Sequence, residues 1–335
     1  MAGVRALRKI QLGKEGTAGS AAAATAIWRG TGTLEDGTQV VQPDENVGYL
    51  APVERSYIPT TEASLSMDAV PATYEQLGYI LLAGIDGTVS SGSRDSSGGY
   101  AYVFGVGTTA QKTPQTYTIE GGDNSGAERF AYGFVTDFTL TGAPRQAVQV
   151  SANWKGRQIG PQAYTAALAL QSVEEVLFGK ATLYIDDVSA IPAATTAKSN
   201  TLLGFTLNIN TGFVPVFTAN GQVYFDFVKQ VAPEITLDVT FEHDATSIAE
   251  KAKWLARTPR LVRIYITGST IANGSTYAGK ALIIDLAGHW ETFTKIDEQD
   301  GNDIVTGTLR ATLNTGAEPD LFTNITVVNA LAGWV

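Results

Sequence analysis

The 335-residue chain has no cysteine, two histidines and two methionines. Without cysteine there is no disulfide, thiolate ligand or thiol nucleophile. His243 and His289 are too far apart for metal-ligand spacing, and His243, in Glu242-His243-Asp244, reads as a capping or hydrogen-bonding corner residue. No stretch reaches the roughly 18 consecutive apolar residues of a membrane helix. Residues 1–10 carry charge but lack the following apolar run of a secretory signal. Basic residues are few: 23 Lys and Arg face 33 Asp and Glu, for a net charge of −10. That argues against tight nucleic-acid binding, which needs basic surfaces, but not against nucleic acid passing by the protein.

Catalytic signatures are also missing. The Gly13–Ala21 stretch has no Gly-Lys-Ser/Thr ending, so it is no phosphate loop, and Gly105-Val-Gly107 has neither a third glycine nor a following helix. No Gly-x-Ser-x-Gly elbow stands at a strand–helix junction. The acid pairs Asp186/Asp187 and Asp297/Glu298 sit at strand ends, where solvated turn acids are common; glycoside hydrolysis needs two acids held across a cleft. The chain reads as a non-enzyme with no cofactor, no metal and no catalytic residue.

What is present is alternation. Ile235–Phe241 alternates apolar and polar side chains, the pattern of a half-buried strand. A helix follows, with Ser247 and Glu250 at capping-box spacing and Ile248, Ala252, Leu255 and Ala256 on one face. Strands are expected at Leu261–Thr267, Lys280–Ile296 and Ile304–Leu313. The same order occurs earlier: alternating Ala63–Asp68, a capping box at Thr73/Gln76, apolar Leu77, Ile80, Leu81 and Leu82, then strands at Gln115–Glu120, Phe130–Thr141 and Ala147–Trp154. Repeated order within one chain points to a duplicated unit, and the length suits about two domains, expected at 1–172 and 173–335.

Between the strands lie two long loops, residues 30–60 and 84–114. Loops of this length are functional or disordered. The first is either a floppy excursion or an interaction arm; Tyr49, Leu50, Tyr57 and Ile58, which look buried, favour an arm ordering against a partner, flanked by the acids Asp36, Asp44 and Glu45. The tip of the second, residues 90–99, has linker composition and is expected to be mobile. A helix-compatible run covers Tyr164–Val176, a linker 190–200, and a hairpin is expected across Asn220-Gly221, with Gln222–Phe227 as its second strand. The extension 315–335 is apolar from Leu321 and would dock on a neighbour or on its own core.

Three stretches carry a family resemblance: Ser64–Gly84; Phe130–Arg157, ending Val150-Ser-Ala-Asn-Trp-Lys-Gly-Arg157; and Leu237–Asn314. Lys180–Asp186 and Phe205–Asp226 add to it. The chain resembles the major tail tube proteins of long-tailed (siphovirus-type) bacteriophages in their two-domain form. The resemblance implies a mainly β fold: two tandem β-sandwich or barrel domains, each with one short flanking α-helix. It further implies rings, trimeric and pseudo-hexameric for two-domain members, stacked into a virion tube through which double-stranded DNA passes during ejection without specific binding. The implied partners are other copies of the chain and the tape-measure, tail-terminator and baseplate proteins, with no membrane, and synthesis in the host bacterial cytoplasm. Asp68, Asp137, Asp226 and Asp238 are expected on polar strand faces that line the lumen, while Leu65, Phe138, Phe225 and Leu237 cover the core. Solvated strand faces would carry such acids too. Two other classes stay open on the residues alone: a carbohydrate-binding or adhesion module of a virion or cell surface, for which β content and tyrosines speak, and a two-sheet hydrolase using Asp186 or Asp285.

Overall fold

A computed structural model describes residues 2–52, 54–90, 98–187, 196–271, 278–315 and 321–334. Most of the 90–99 tip and of the 190–200 linker, and residues 316–320 of the extension, lie outside these. The protein is mainly β. In chain order its elements are β1 (Lys9–Lys14), β2 (Ala26–Ile27), β3 (Gly32–Asp36), β4 (Gln39–Val41), β5 (Tyr57–Thr60), β6 (Ala63–Pro71), α1 (Leu77–Gly84), β7 (Tyr100–Gly105), β8 (Tyr117–Gly122), β9 (Ala127–Gly142), β10 (Gln149–Gly156) and β11 (Ile159–Pro161). These are followed by β12 (Ala181–Asp187), β13 (Ala197–Lys198), β14 (Leu202–Asn210), β15 (Phe213–Val216), β16 (Phe227–Gln230), β17 (Glu234–Glu242), α2 (Ala245–Leu255), β18 (Arg260–Thr270), β19 (Gly279–Phe293), β20 (Asp297–Gln299), β21 (Asn302–Ala311) and β22 (Thr323–Asn329). Eighteen strands form one hydrogen-bonded network; β4–β5 and β15–β16 are separate two-stranded ribbons.

One antiparallel order occurs twice. In the first half it is β2-β1-β8-β9-β10-β6-β3. In the second it is β13-β12-β18-β19-β21-β17-β14. A register break falls at the same place in both: Trp154 faces Val135 while Asn153 faces Asp137, and Leu309 faces Trp290 while Thr308 faces Thr292. Alternation sets these registers. On β6, Leu65 and Met67 are buried and Ser66 and Asp68 exposed; on β17, Leu237 and Val239 are buried. A one-residue slip would turn every buried side chain to water.

The halves are stitched together. β14 leaves its own half to pair with β9, Leu207 opposite Leu140 and Asn210 opposite Asp137. β22 lies between β19 and β7. Beyond it the tail docks on the chain's own core: Asn329 Nδ2 donates to the Tyr74 carbonyl at 2.8 Å, and the Trp334 ring packs against Tyr102 at 4.4 Å. At Gly78 any Cβ would lie 2.1 Å from the Trp334 ring, so only glycine admits the indole. Every residue of α1 is buried.

Several expectations change. The long loops hold strands: β3, β4 and β5 in the first, β7 in the second. Residues 164–176 form no helix, because sheet edges take their backbone: Val148 N–H bonds to the Val176 carbonyl and Val176 N–H to the Ala72 carbonyl, both shorter than 3 Å. The hairpin around Asn220-Gly221 has its second strand at Phe227–Gln230, so 222–226 belong to the turn. Helix α2 starts three residues early. Asp244 is the N-cap and Ser247 completes the box, which frees Glu250. At α1, Thr73 Oγ1 accepts the Gln76 N–H at 3.2 Å, but the Gln76 side chain turns away to Ile27 and Arg29.

Candidate assembly surfaces

Pairing runs unbroken through β3-β6-β10-β9-β14-β17-β21-β19, giving one eight-stranded surface shared by both halves. Its inner side buries Leu65, Trp154, Leu140, Leu207, Leu237 and Leu309. Its outer side is polar. Ser66, Asn153, Asp137 and Asn210 are successive cross-strand neighbours, as are Thr141, Thr206, Asp238, Thr308 and Thr292. These groups satisfy one another: Asn153 Nδ2 donates to Asp137 at 2.7 Å, Thr308 Oγ1 to Asp238 at 2.6 Å and Thr139 Oγ1 to Asn208 at 3.1 Å. The cation Lys155 is paired with Glu62 at 2.6 Å, and Arg310 lies 3.5 Å from Glu291. The face therefore presents hydroxyls and amides with sparse, mostly acidic charge, and no cluster of free cations for a polyanion.

Of the four aspartates, the structure brings Asp137 and Asp238 onto this face. Asp68 is on the same exposed side of β6 as Ser66, beside a cavity of about 730 Å³ that Arg5, Arg8 and Lys9 also line. Asp226 is not on a strand face. It closes the β15–β16 turn, accepting from the Thr218 N–H at 3.0 Å and from its hydroxyl. Leu65, Phe138 and Leu237 join the main core, whereas Phe225 belongs to a separate aromatic cluster with Tyr132, Phe134 and Phe213.

The first loop projects from the end of β3 as the β4–β5 ribbon and its connection. Its apolar residues are exposed rather than buried: Tyr49 by 79%, Tyr57 by 52%, Ile58 by 47%, and Leu50 completely. Asp36 caps the ribbon's root by accepting from the Thr38 N–H at 2.9 Å, Asp44 is exposed, and Glu45 pairs with Arg55. Helix α2 shows the complementary anomaly. It packs on β18 and β19 through Glu250, which takes two bonds from Arg260, at 2.9 and 2.8 Å, and one from Trp290 Nε1 at 3.0 Å, and through Trp254, whose ring lies 5.9 Å from Phe293. Its apolar stripe faces outward, with Ile248 56% and Leu255 71% exposed and Ala252 and Ala256 exposed beside them.

A family model described as phage tail tube protein matches residues 6–324. The chain belongs to the phage tail tube protein family. No curated protein matches it. As a tail tube protein it is a structural component of the phage tail, built to associate with copies of itself. The residues that would serve a hydrolase are engaged otherwise in this tail tube protein: Asp186 is buried, and Asp285 is held by Arg263 at 2.6 and 2.9 Å. Burial still pushes the Asp285 carboxyl above its ordinary value, against the opposing pull of Arg263.

Among the buried acids that sequence reasoning missed are Glu15 and Glu250. Glu15 accepts from Gly19 N–H, Thr116, Thr118 and Tyr132 N–H at 2.7–2.9 Å, pinning the Gly13–Ala21 stretch. Glu250 was read as a cap. The signal for Glu250 was Arg260 at the head of the next strand, since a buried carboxylate needs a partner; nothing local marks Glu15, whose main partners are about 100 residues away.

Proposed function

We propose that three copies of this tail tube protein close into a ring, and that rings stack into the tube that conducts double-stranded DNA during ejection. The observation that carries this reading is the β9–β14 junction. β3 holds in the first half the place that β14 holds in the second: Leu34 faces Leu65 as Leu207 faces Leu237. β19 likewise corresponds to β9. Among the described residues β3 pairs only with β6, and the β18 ladder along β19 stops at Gly288. Each chain thus makes one junction internally and leaves the two halves of a second one open. An unpaired edge is a template for another strand, and head-to-tail contacts make a ring when the rotation closes. Carrying the register across puts Leu34 of one copy opposite Lys295 of the next. Three chains, each a duplicated unit divided near residue 172, then supply six similar positions.

In this reading the polar sheet face lines the lumen, with Asp137 and Asp238 on it, Asp68 toward its margin and Asp226 off it in the β15–β16 turn, and sparse acidic charge lets DNA slide. The arm at residues 30–60, including Asp36, Asp44, Glu45, Tyr49, Tyr57 and Ile58, packs on a neighbouring copy. Tape-measure, tail-terminator and baseplate proteins meet the tube within it and at its ends, after synthesis in the host cytoplasm. Mass measurement with electron microscopy of the purified protein tests the proposal. Trimeric rings and hollow tubes are expected; a compact monomer at high concentration under all salt conditions would sink it.

A further inference from the structure

The outward apolar stripe of α2 has no partner among the described residues of its own chain, whereas α1, in the corresponding place of the first half, is wholly buried. We propose that the stripe formed by Ile248, Ala252, Leu255 and Ala256 seats the β4–β5 arm of the neighbouring copy. The inference rests on the ring reading and goes beyond it by naming both sides of the arm contact.

Three observations point there. The first is the internal junction itself. Where β14 ends on β9, Thr211 bonds to the Val135 and Thr136 carbonyls at 3.0 and 2.8 Å and its methyl approaches Gly84, the last residue of α1. The β15–β16 ribbon starts at that point. A ribbon that follows the crossing strand therefore begins beside the C-terminal end of the helix in the half it joins. Repeating this with β3 on β19 brings Asp36 to Phe293 of the neighbour, and the β4–β5 ribbon starts beside α2, whose Trp254 already donates to the Glu291 carbonyl at 2.8 Å. The second is apolar complementarity. Val40, Tyr57 and Ile58 on the ribbon and Ile248 and Leu255 on the helix are each about half exposed or more, and an exposed cluster of this kind marks an interaction site. The third is charge. Residues 36–60 carry Asp36, Asp44, Glu45 and Glu54 against Arg55 alone, while Lys251, Lys253 and Arg257 rim α2. Opposite potentials orient such an encounter.

The absence of cysteine makes the test clean. Ile58→Cys and Leu255→Cys are placed in one chain, both at exposed positions, and assembled material is treated with a short bismaleimide. Leu34→Cys with Lys295→Cys reports the ring junction separately. Chain-to-chain species from Ile58→Cys/Leu255→Cys, absent from each single variant, are expected. A linked junction pair with an unlinked arm–helix pair would overturn this inference and leave the ring standing. A linked arm–helix pair with an unlinked junction would keep the contact and refute the ring register. Failure of both pairs, with no rings visible, would remove both. As a second reading, Ile248→Glu with Leu255→Glu should lower the assembled fraction at fixed concentration at least tenfold without changing the monomer's thermal unfolding; assembly at the parental level would also overturn the proposal.

Discussion

Glu250 and Arg260 form a two-point ion pair, at 2.8 and 2.9 Å, with both side chains buried. The pair anchors α2 from beneath and so lets the helix keep its apolar residues outside. Removing one partner leaves an uncompensated charge. Glu250→Ala or Arg260→Ala should each cost about 3–5 kcal/mol, whereas an apolar pair of similar volume should cost far less. Urea unfolding of the two single variants and the double variant measures the difference.

Gly78 and Trp334 should behave as a coupled pair. Gly78→Ala drives a methyl into the indole and should destabilise by about 1–3 kcal/mol. Trp334→Ala alone should cost about 3–5 kcal/mol. In the double variant the Gly78→Ala penalty should vanish, because the ring it strikes is gone; a double-mutant cycle reads the coupling.

The polar sheet face makes a charge prediction. Asp137→Lys with Asp238→Lys should make assembled tubes retain DNA, each new phosphate contact steepening the dependence of log K on log salt by about 0.9. Asp226→Lys should leave retention unchanged, since Asp226 closes a hairpin turn off that face. Filter-binding at several salt concentrations separates the two.

Acid sensitivity follows from two depressed carboxyls. Burial alone would raise Asp86, but bonds from Lys112 and Thr88 outweigh it and hold it below its ordinary 3.8. Burial likewise opposes, and bonds from Ser269 and Lys280 outweigh it in holding, Glu174 below 4.5. A carboxyl depressed by folding contributes stability that is fully present above its unfolded value and lost as pH falls through its folded one. Urea midpoints should therefore drop on acidification below these ordinary values, and Lys112→Met should flatten the part owed to Asp86.

Much of this was legible in the sequence, for a physical reason. Strands with one buried face must alternate, so Ala63–Asp68, Phe130–Thr141 and Ile235–Phe241 could be read directly, as could β12 at Ala181–Asp187. The short edge strands β3 and β7 could not. Their partners, β6 and β22, set them, and β22 is more than 200 residues from β7 in the chain. The stripe on α2 is legible as a face, but periodicity reports only that one side differs from the other and not which side meets the core, so its outward placement was not. The arm's tyrosines erred in the same way: aromatic content suggested burial, yet in the single chain Tyr49 and Tyr57 are exposed. Asp226 was assigned to a strand face because Gln222–Phe227 is rich in β-formers, whereas Asn220-Gly221 and the Thr218–Asp226 bond keep that stretch in the turn.

The docking of β22 and Trp334 onto β7 and α1 also has a consequence in time. On the ribosome, Tyr74 emerges 255 residues before Asn329, an interval on the order of 10–50 s at about 5–20 residues per second. Throughout it, β7 lacks its neighbour and α1 lacks its cover. This part of the sheet cannot finish until β22 arrives, so β7 and the covered side of α1 stay open until the stretch that ends at Trp334 has been translated. A nascent chain built this way depends, in that interval, on whatever shields its exposed strand edge and helix.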